Sequence, residues 1–210
     1  MLRVVAEESA AHGAVMIGED LGFVPEGFRE TMQAANILAY RILYFEQEWG
    51  LFRRAATYPE TALACISTHD LPTLAGWWRG EDIAARRDFG LISPGYAAEQ
   101  EGVRAQERVA LVNAFIDGGQ LPPDARDGDE AELPPRVLAA AHRFLAETPC
   151  RLAGVRLADL VGPAAQTNVP GTLDEHPNWR RRGRLPVDEI ADNPVFRDIT
   201  AVMRAARPRS

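Results

Sequence analysis

Short apolar segments alternate along the chain with longer segments in which charged and apolar residues recur at helical spacing. The apolar segments predict strands, because they are brief, rich in Val, Ile, Leu or Tyr, and bounded by turn residues. They cover residues 14–17, 38–45, 63–67 and 154–157. The amphipathic segments predict helices, and they cover residues 2–12, 25–35, 94–115, 134–147 and 187–206. Strands that alternate with helices in this way indicate an α/β fold with a parallel sheet and helices packed outside it.

Two segments lack this patterning and predict loops. Residues 117–133 and 162–183 are rich in Gly, Pro, Asn and acidic residues, which favour turns. A complete eight-stranded α/β barrel takes about 250 residues, so this chain of 210 residues is either a small open α/β domain or the second half of a barrel. The helix that precedes the first predicted strand favours the half barrel, because the chain enters the alternation at a helix.

Composition and charge narrow the range of functions. The chain is 46% hydrophobic and 25% charged, which is typical of a soluble globular protein. Its net charge of -7 argues against nucleic acid as a partner, although arginines cluster at 180–184. Glu7 and Glu8 argue against a signal peptide, and no apolar run approaches the roughly 18 residues of a membrane span. Cys65 and Cys150 stand in apolar surroundings and indicate buried thiols in a reducing cytoplasm.

Carboxylates follow two of the predicted strands at their carboxyl ends. Glu19 and Asp20 come directly after the first strand, and His69 precedes Asp70 after the third. Enzymes with α/β folds place catalytic groups at this edge of the sheet. Retaining cleavage of a glycoside needs a nucleophilic carboxylate and a proton-donating carboxyl about 5 Å apart. Glu19 is the better candidate for the donor because its side chain is longer, while Asp20 is better placed to cap or hold the loop.

Each of these residues also has a purely structural interpretation. The segment Gly-Glu-Asp-Leu-Gly at 18–22 is an ordinary polar turn between a strand and a helix. Asp70 could cap a helix that begins at Leu71 and Pro72. His69 could hydrogen-bond a sugar hydroxyl or form a metal pair with Asp70, but no third ligand stands at a telling spacing. The residues by themselves therefore leave a carboxylate active site, a structural turn and a metal pair open.

Four segments, in chain order and at natural spacing, together resemble one family. They are VMIGEDLGFVPEGF at 15–28, YRILYFE at 40–46, STHDLPTLAGWWRG at 67–80 and NVPGTLDEHPNWRRR at 168–182. The family is the 4-alpha-glucanotransferases, or amylomaltases, which belong to the α-amylase-like clan of glycoside hydrolases. Because the resemblance spans nearly the whole chain, it implies a TIM (β/α)8 barrel and a retaining double displacement on α-1,4-glucans.

The resemblance also implies roles for individual residues. Glu19 matches the general acid/base, and Asp70 matches the carboxylate that favours the oxocarbenium-like transition state. His69 matches a sugar-binding histidine beside that carboxylate. Other residues lie in the matching motifs and either contact substrate or support the site: Asp20, Trp77, Asn168, Asn178 and Trp179. The implied partners are an α-1,4-glucan or maltooligosaccharide donor and a sugar acceptor, with no metal and no organic cofactor.

One part of the family pattern has no counterpart in this chain. The nucleophilic aspartate of the family follows the fourth barrel strand, and no segment here matches that strand or the three before it. We therefore expect residues 1–210 to be the C-terminal portion of a single catalytic domain, about strands 5 to 8 with their helices, without the N-terminal half. The chain alone is expected to be inactive, since no covalent glycosyl-enzyme forms without the nucleophile. A separate N-terminal half chain could restore activity.

Two other functions compete with the transferase. A truncated chain could be non-catalytic and at most bind glucan weakly, which the missing nucleophile favours. An α-glucan hydrolase of the same clan would use the same carboxylates and differ in how well its site admits a sugar acceptor instead of water. Analysis of the products separates transfer from hydrolysis.

Overall fold

The computed structural model describes residues 2–125, 130–162 and 164–208. Its strands are β1 (Ala39–Ile42), β2 (Gln47–Glu48), β3 (Leu51–Phe52), β4 (Ala62–Cys65) and β5 (Leu152–Ala153). Its α-helices are α1 (Leu2–Ala11), α2 (Phe28–Ala34), α3 (Leu74–Arg79), α4 (Glu81–Asp88), α5 (Pro94–Asp117), α6 (Pro135–Ala146), α7 (Leu157–Val161) and α8 (Pro194–Ala206). Short 3-10 helices lie at Leu43–Phe45, Ala55–Thr57 and Val187–Asp192.

A parallel sheet in the order β1-β4-β5 forms the centre of the fold. Tyr40 pairs with Leu63, which in turn pairs with Leu152. An isolated parallel bridge between Ile17 and Leu38 lies just before β1 in the chain. Strands β2 and β3 form a separate antiparallel hairpin. The predicted α/β fold with a parallel sheet and helices outside it is confirmed.

The hydrophobic core lies between this sheet and helices α3, α5 and α6. Ala62 and Ala64 of β4 are fully buried, and their small side chains let the helices approach the sheet closely. The largest buried side chains include Phe115 and Phe144, whose rings lie 5.5 Å apart. Burying one such aromatic side chain stabilises the fold by about 1.5–3 kcal/mol. This core holds the carboxyl end of β4 in place, and that end leads to His69 and Asp70.

Two of the predicted strands are wrong. Residues 14–17 make only the bridge at Ile17, and the Val15 side chain is 66% exposed. Within the described residues this segment pairs only with Leu38. The side chains of Val15, Met16 and Ile17 remain exposed. Residues 154–157 lie after β5, which ends at Ala153, and α7 begins at Leu157. Short apolar runs do not by themselves distinguish a buried strand from a neighbouring turn.

Several boundaries differ from prediction for local reasons. Helix α2 begins at Phe28, not at 25, because Gly27 adopts a left-handed φ of 76° immediately before it. The strand predicted at 38–45 ends at Ile42, where a 3-10 helix takes over. Thr73, and not Asp70, caps α3 by accepting a hydrogen bond from the Gly76 amide. Helix α3 begins at Leu74, three residues after the helix start considered at Leu71. Helices α4 and α7 and the β2-β3 hairpin were not predicted.

The remaining helices follow the predicted pattern. Helices α1, α5 and α6 lie within two residues of their predicted ends. The region at 187–206 is helical as predicted, but Asn193 divides it by capping α8 through the Phe196 amide. No described residue of the predicted loops at 117–133 and 162–183 belongs to a helix or strand, apart from the last residue of α5. Residues 126–129 of the first of these loops and residue 163 of the second lie outside the described residues.

A buried histidine makes the stability of this core sensitive to pH. His142 of α6 is 0% exposed, and its Nδ1 lies 2.8 Å from the Leu138 carbonyl oxygen. Burial lowers the pKa of His142 below its ordinary value, and the hydrogen bond with Leu138 opposes this only in part. The neutral imidazole therefore suits the folded protein, whereas the unfolded chain binds a proton more readily.

We expect the free energy of unfolding to fall as the pH drops below about 6.5, the ordinary pKa of a histidine in an unfolded chain. Below that pH the unfolded chain binds a proton that folded His142, with its lowered pKa, does not yet accept, so protonation favours unfolding. His142→Leu should flatten this decline by an amount on the order of 1 kcal/mol. Urea unfolding at a series of pH values measures the effect. His12→Leu, at an exposed histidine on the first turn after α1, is the matched control. Parallel curves for the parent protein and His142→Leu would contradict the prediction.

Candidate active site

Asp70 lies in the turn that follows the carboxyl end of β4. Its Oδ1 accepts a hydrogen bond from Asn168 Nδ2 at 2.7 Å, and His69 Nε2 lies 3.3 Å from the same oxygen. The backbone is held as well, since the Asp70 amide donates to Thr68 Oγ1 at 3.2 Å and its carbonyl accepts from Gln166 Nε2 at 2.6 Å. The Asp70 side chain is 40% exposed. The carboxylate is therefore fixed in direction and still open to a ligand.

Asn178 stabilises the loop that brings Asn168 to Asp70. Its Oδ1 accepts a hydrogen bond from the Val169 amide at 2.9 Å. Its Nδ2 donates to the carbonyl oxygen of Thr172 at 3.2 Å and to the hydroxyl of the same residue at 2.8 Å. Because Val169 directly follows Asn168, these bonds fix the backbone from which Asn168 reaches Asp70. The structure thus gives Asn178 a supporting position within the loop.

Trp179 presents an exposed aromatic face beside His69. The Trp179 backbone adopts a left-handed φ of 61°, which is uncommon for a bulky residue. Its amide donates to the Thr167 carbonyl at 3.1 Å, which helps to hold this conformation. The indole is 62% exposed, and its centre lies 5.2 Å from the His69 ring. A flat apolar surface next to polar groups is typical of a ligand-binding site.

Glu19 reaches the same edge of the sheet and is exposed. Its charge acts on Tyr40 of β1. Burial is the main cause that raises the pKa of Tyr40 above its ordinary value; Cys65 and Glu19 add to the rise, and Arg156 opposes it. Tyr40 therefore lies within the electrostatic range of both Glu19 and Arg156, and Arg156 contacts the loop of Asp70. The two carboxylates predicted for catalysis stand at one edge of one sheet.

Asp20 is built into the fold. Its side chain is 0% exposed. Its Oδ1 accepts from the Tyr40 amide at 2.8 Å, and its Oδ2 accepts from Arg29 Nε at 2.8 Å and Arg41 at 3.1 Å. Burial alone would raise the pKa of Asp20, but these hydrogen bonds and the Arg41 charge outweigh it and hold the pKa below its ordinary value. Asp20 anchors the turn, which leaves its neighbour Glu19 free to face solvent.

Trp77 belongs to the core. It is 3% exposed, and its ring stacks on Tyr44 at 5.2 Å with an interplanar angle of 7°. The Arg104 guanidinium lies over the ring at 4.7 Å. The predicted contact between Trp77 and substrate does not fit this position, because the indole is enclosed by its aromatic and cationic neighbours.

Two residues at the site were not predicted. Arg156 donates hydrogen bonds to the loop that carries Asp70, and Gln166 donates to the Asp70 carbonyl. Arg156 fell inside the strand predicted at 154–157, although it lies past the actual end of that strand. Strand β5 ends at Ala153, so Arg156 is a polar residue just past a strand end. Functional residues are often found at such positions, and a correct strand boundary would have made Arg156 a candidate. Gln166 has no local signal, because its contact with Asp70 depends on the path of a long loop.

A separate cavity of about 690 Å³ opens beside Asp20. Its lining includes charged side chains that form ion pairs with one another, and neither Glu19 nor Asp70 lines it. The charged residues are Asp20, Arg29, Arg41, Glu46, Glu48 and Arg53. We place the candidate site at Asp70 instead, because convergent hydrogen bonds and an exposed aromatic residue meet there.

The described residues form neither a cluster of metal ligands nor a membrane-spanning helix. Across residues 2–125, 130–162 and 164–208, no three His, Cys, Asp or Glu residues lie close enough together to hold a metal ion. The pair formed by His69 and Asp70 therefore gains no third such ligand from this part of the chain. Among the helices described above, none is long and apolar enough to cross a membrane.

Comparison with known proteins gives one consistent result. A 4-alpha-glucanotransferase of Haemophilus influenzae is 32% identical over 199 residues, which are 94% of this chain and 28% of the relative. A 4-alpha-glucanotransferase of Mycobacterium tuberculosis is 38% identical over 185 residues, covering 86% of this chain and 25% of the relative. The chain thus spans about a quarter to a third of the length of these relatives.

Solved structures agree with the sequence relatives. The crystal structure of amylomaltase from Corynebacterium glutamicum has a TM-score of 0.86 at 28% identity, covering 95% of this chain and 30% of that protein. Amylomaltase from Streptococcus agalactiae, solved in complex with acarbose, has a TM-score of 0.61 at 17% identity. The match covers 92% of this chain and 32% of that protein, and at this identity it supports the fold alone. The family model described as 4-alpha-glucanotransferase matches residues 1–186. The chain therefore belongs to the 4-alpha-glucanotransferase family.

Proposed function

We propose that this chain carries the acid/base and the transition-state carboxylate of a 4-alpha-glucanotransferase. The reaction would move a segment of an α-1,4-glucan to the 4-hydroxyl of an acceptor sugar by a retaining double displacement. The observation that carries the proposal is the arrangement of Glu19 and Asp70. Glu19 is exposed two residues after the Ile17 bridge, which lies beside β1, and Asp70 is held by Asn168 beyond the carboxyl end of β4, which also pairs with β1.

Glu19 is the proton carrier in this proposal. Its carboxyl has no hydrogen-bond or ion-pair partner in the described part of the chain, so no fixed contact competes with a glycosidic oxygen. It would protonate the departing oxygen in the first step and accept the proton of the acceptor hydroxyl in the second. The neighbouring Asp20, tied to two arginines, cannot turn toward the sugar without leaving those charges unpaired.

Asp70 acts through charge and position. Positive charge develops at the anomeric carbon as the glycosidic bond breaks, and a preorganised carboxylate stabilises that charge more than it stabilises the neutral substrate. The hydrogen bond from Asn168 and the neighbouring imidazole of His69 hold the carboxylate in place before the substrate arrives. Trp179 would offer its exposed face to the apolar side of a glucose ring.

We infer further that residues 1–210 form the C-terminal portion, about strands 5 to 8, of a single TIM-barrel catalytic domain. The bridge at Ile17 and strands β1, β4 and β5 follow one another in chain order across a parallel sheet, as consecutive barrel strands do. The chain also spans only about a quarter to a third of its relatives. The nucleophile would come from the remaining part of the barrel, whether in the same polypeptide or in an N-terminal half chain.

The test compares the isolated chain with a protein that joins it to an N-terminal half from a relative. Each is incubated with maltotriose, and the products are separated by chain length. We expect glucose and longer maltooligosaccharides from the joined protein and negligible turnover from the isolated chain, since that chain holds no nucleophile. Rising reducing ends without longer products would indicate an α-glucan hydrolase. Transfer by the isolated chain that Glu19→Gln abolishes would contradict the half-barrel proposal.

A further inference from the structure

Arg156 connects the two loops that build the candidate site. It lies between β5 and α7 and was assigned no role by the family resemblance. One terminal nitrogen of its guanidinium donates to Ser67 Oγ at 3.0 Å and to the Leu71 carbonyl at 2.9 Å, on either side of Asp70. The other donates to Thr167 Oγ1 at 3.1 Å, next to Asn168 in the second loop. Arg156 thus contacts both loops from a third segment and adds to the direct bonds that Asn168 and Gln166 make with Asp70.

The same short segment holds the far end of the Asp70 loop. Asp159, three residues after Arg156, accepts a hydrogen bond from the Leu74 amide through Oδ1 at 2.6 Å. Its other oxygen is shielded from solvent and has no partner in the described part of the chain. The charge of Arg156 acts on this carboxyl, and the carboxyl in turn acts on Tyr44 and Cys65. The turn from Ser67 to Leu74 is therefore anchored at both ends by residues 156–159.

We propose that Arg156 is a positioning residue that fixes Asp70 relative to Asn168 and Trp179 for the transition state. The inference rests on the proposed transferase function. A displacement of about 1 Å in a catalytic group can cost roughly a hundredfold in rate. Because Arg156 reaches both loops at once, losing it would let their separation vary while each loop keeps its internal hydrogen bonds.

The chemistry of the side chain makes the proposal specific to arginine. The guanidinium directs its donors along a planar fork, so it reaches acceptors on opposite sides from one position. The ammonium of a lysine donates from a single point and cannot span the Ser67 and Thr167 hydroxyls in the same way. Lysine at this position would keep the charge and lose the bridge between the loops.

The experiment uses the joined protein that contains the whole barrel, with Arg156→Lys and Arg156→Met. We expect kcat for maltotriose transfer to fall about tenfold in Arg156→Lys and about a hundredfold in Arg156→Met, while KM stays within about twofold. Arg143→Lys and Arg143→Met are matched controls, because Arg143 is an exposed arginine of α6 that pairs with Glu147. A kcat within twofold of the parent in both Arg156 variants, or a change confined to KM, would overturn the proposal.

Hydrogen exchange gives a second readout that does not depend on activity. We expect faster amide exchange at residues 67–74 and at residues 164–179 together in Arg156→Lys, with exchange in α5 and α6 unchanged. Unchanged exchange in either loop would overturn the proposal. A parent protein without transferase activity would instead reject the proposed function, and the exchange data would still decide whether Arg156 couples the loops.

Discussion

Glu19→Gln is expected to lower the rate of transfer from maltotriose by roughly a hundredfold to ten-thousandfold in the joined protein. Glutamine keeps the size of the side chain and cannot pass a proton to the departing oxygen. A donor that leaves as fluoride needs little protonation, so the first step from a glucosyl fluoride should be nearly normal. The second step should then be slow, because no base removes the proton from the acceptor hydroxyl. Rates for the two donors, measured side by side, check the prediction.

Azide sharpens the test of Glu19. It attacks the glycosyl-enzyme without losing a proton, so it should restore turnover of the fluoride donor by Glu19→Gln and yield a glycosyl azide. Glu26→Gln is the matched control, because Glu26 is an exposed glutamate of the same segment. Equal losses for maltotriose and the fluoride donor, with no response to azide, would reject Glu19 as the acid/base.

Asp70→Asn is expected to lower kcat by roughly a hundredfold to a thousandfold, with a much smaller change in KM. The asparagine oxygen can still accept the hydrogen bond from Asn168, so the variant removes the charge and keeps the shape. Positive charge develops at the anomeric carbon whatever the leaving group, so the loss should be similar for maltotriose and for the fluoride donor. Azide should restore nothing, because no proton transfer is missing.

The control for Asp70 is Asp174→Asn, at an exposed aspartate of the second loop. That variant should keep the parent kcat for both donors. A variant of Asp70 that keeps full activity, or that changes KM alone, would show that its carboxylate serves only to hold the turn. Together the two substitutions separate proton transfer from charge stabilisation. Glu19→Gln should slow the first step much more with maltotriose than with the fluoride donor, whereas Asp70→Asn should slow it by a similar factor with both.

The α/β alternation and the two candidate carboxylates could be proposed from the sequence because they depend on local signals. Apolar runs bounded by turn residues indicate strands, and polar residues just past a strand stand at the edge where parallel strands end. Glu19 and Asp70 follow from that rule in any α/β fold. Strand prediction failed at 14–17, where the segment makes only one bridge, and at 154–157, where the strand ends earlier than the apolar run. The second error hid Arg156.

The assignment of supporting residues depended on tertiary structure. Asp20 and Glu19 are adjacent acids with the same local pattern. Asp20 is buried and bonded to two arginines and a backbone amide, whereas Glu19 is exposed. Trp77 and Trp179 both lie in motifs of the family, but stacking on Tyr44 encloses the first, while a left-handed backbone holds the second at the surface. Burial is a property of neighbours that are distant in sequence, so motif membership does not reveal it.

By itself, the sequence determined the family, the α/β alternation and the positions of Glu19 and Asp70 just past apolar runs. Only the tertiary structure decided how Asp70 is held, because Asn168 and Arg156 meet its loop from positions 98 and 85–89 residues away along the chain. Contacts over such separations form only when the core has brought the strands together. The candidate catalytic carboxylates, Glu19 and Asp70, could therefore be proposed from the local sequence pattern. The residues that hold Asp70 in position, Asn168 and Arg156, could not.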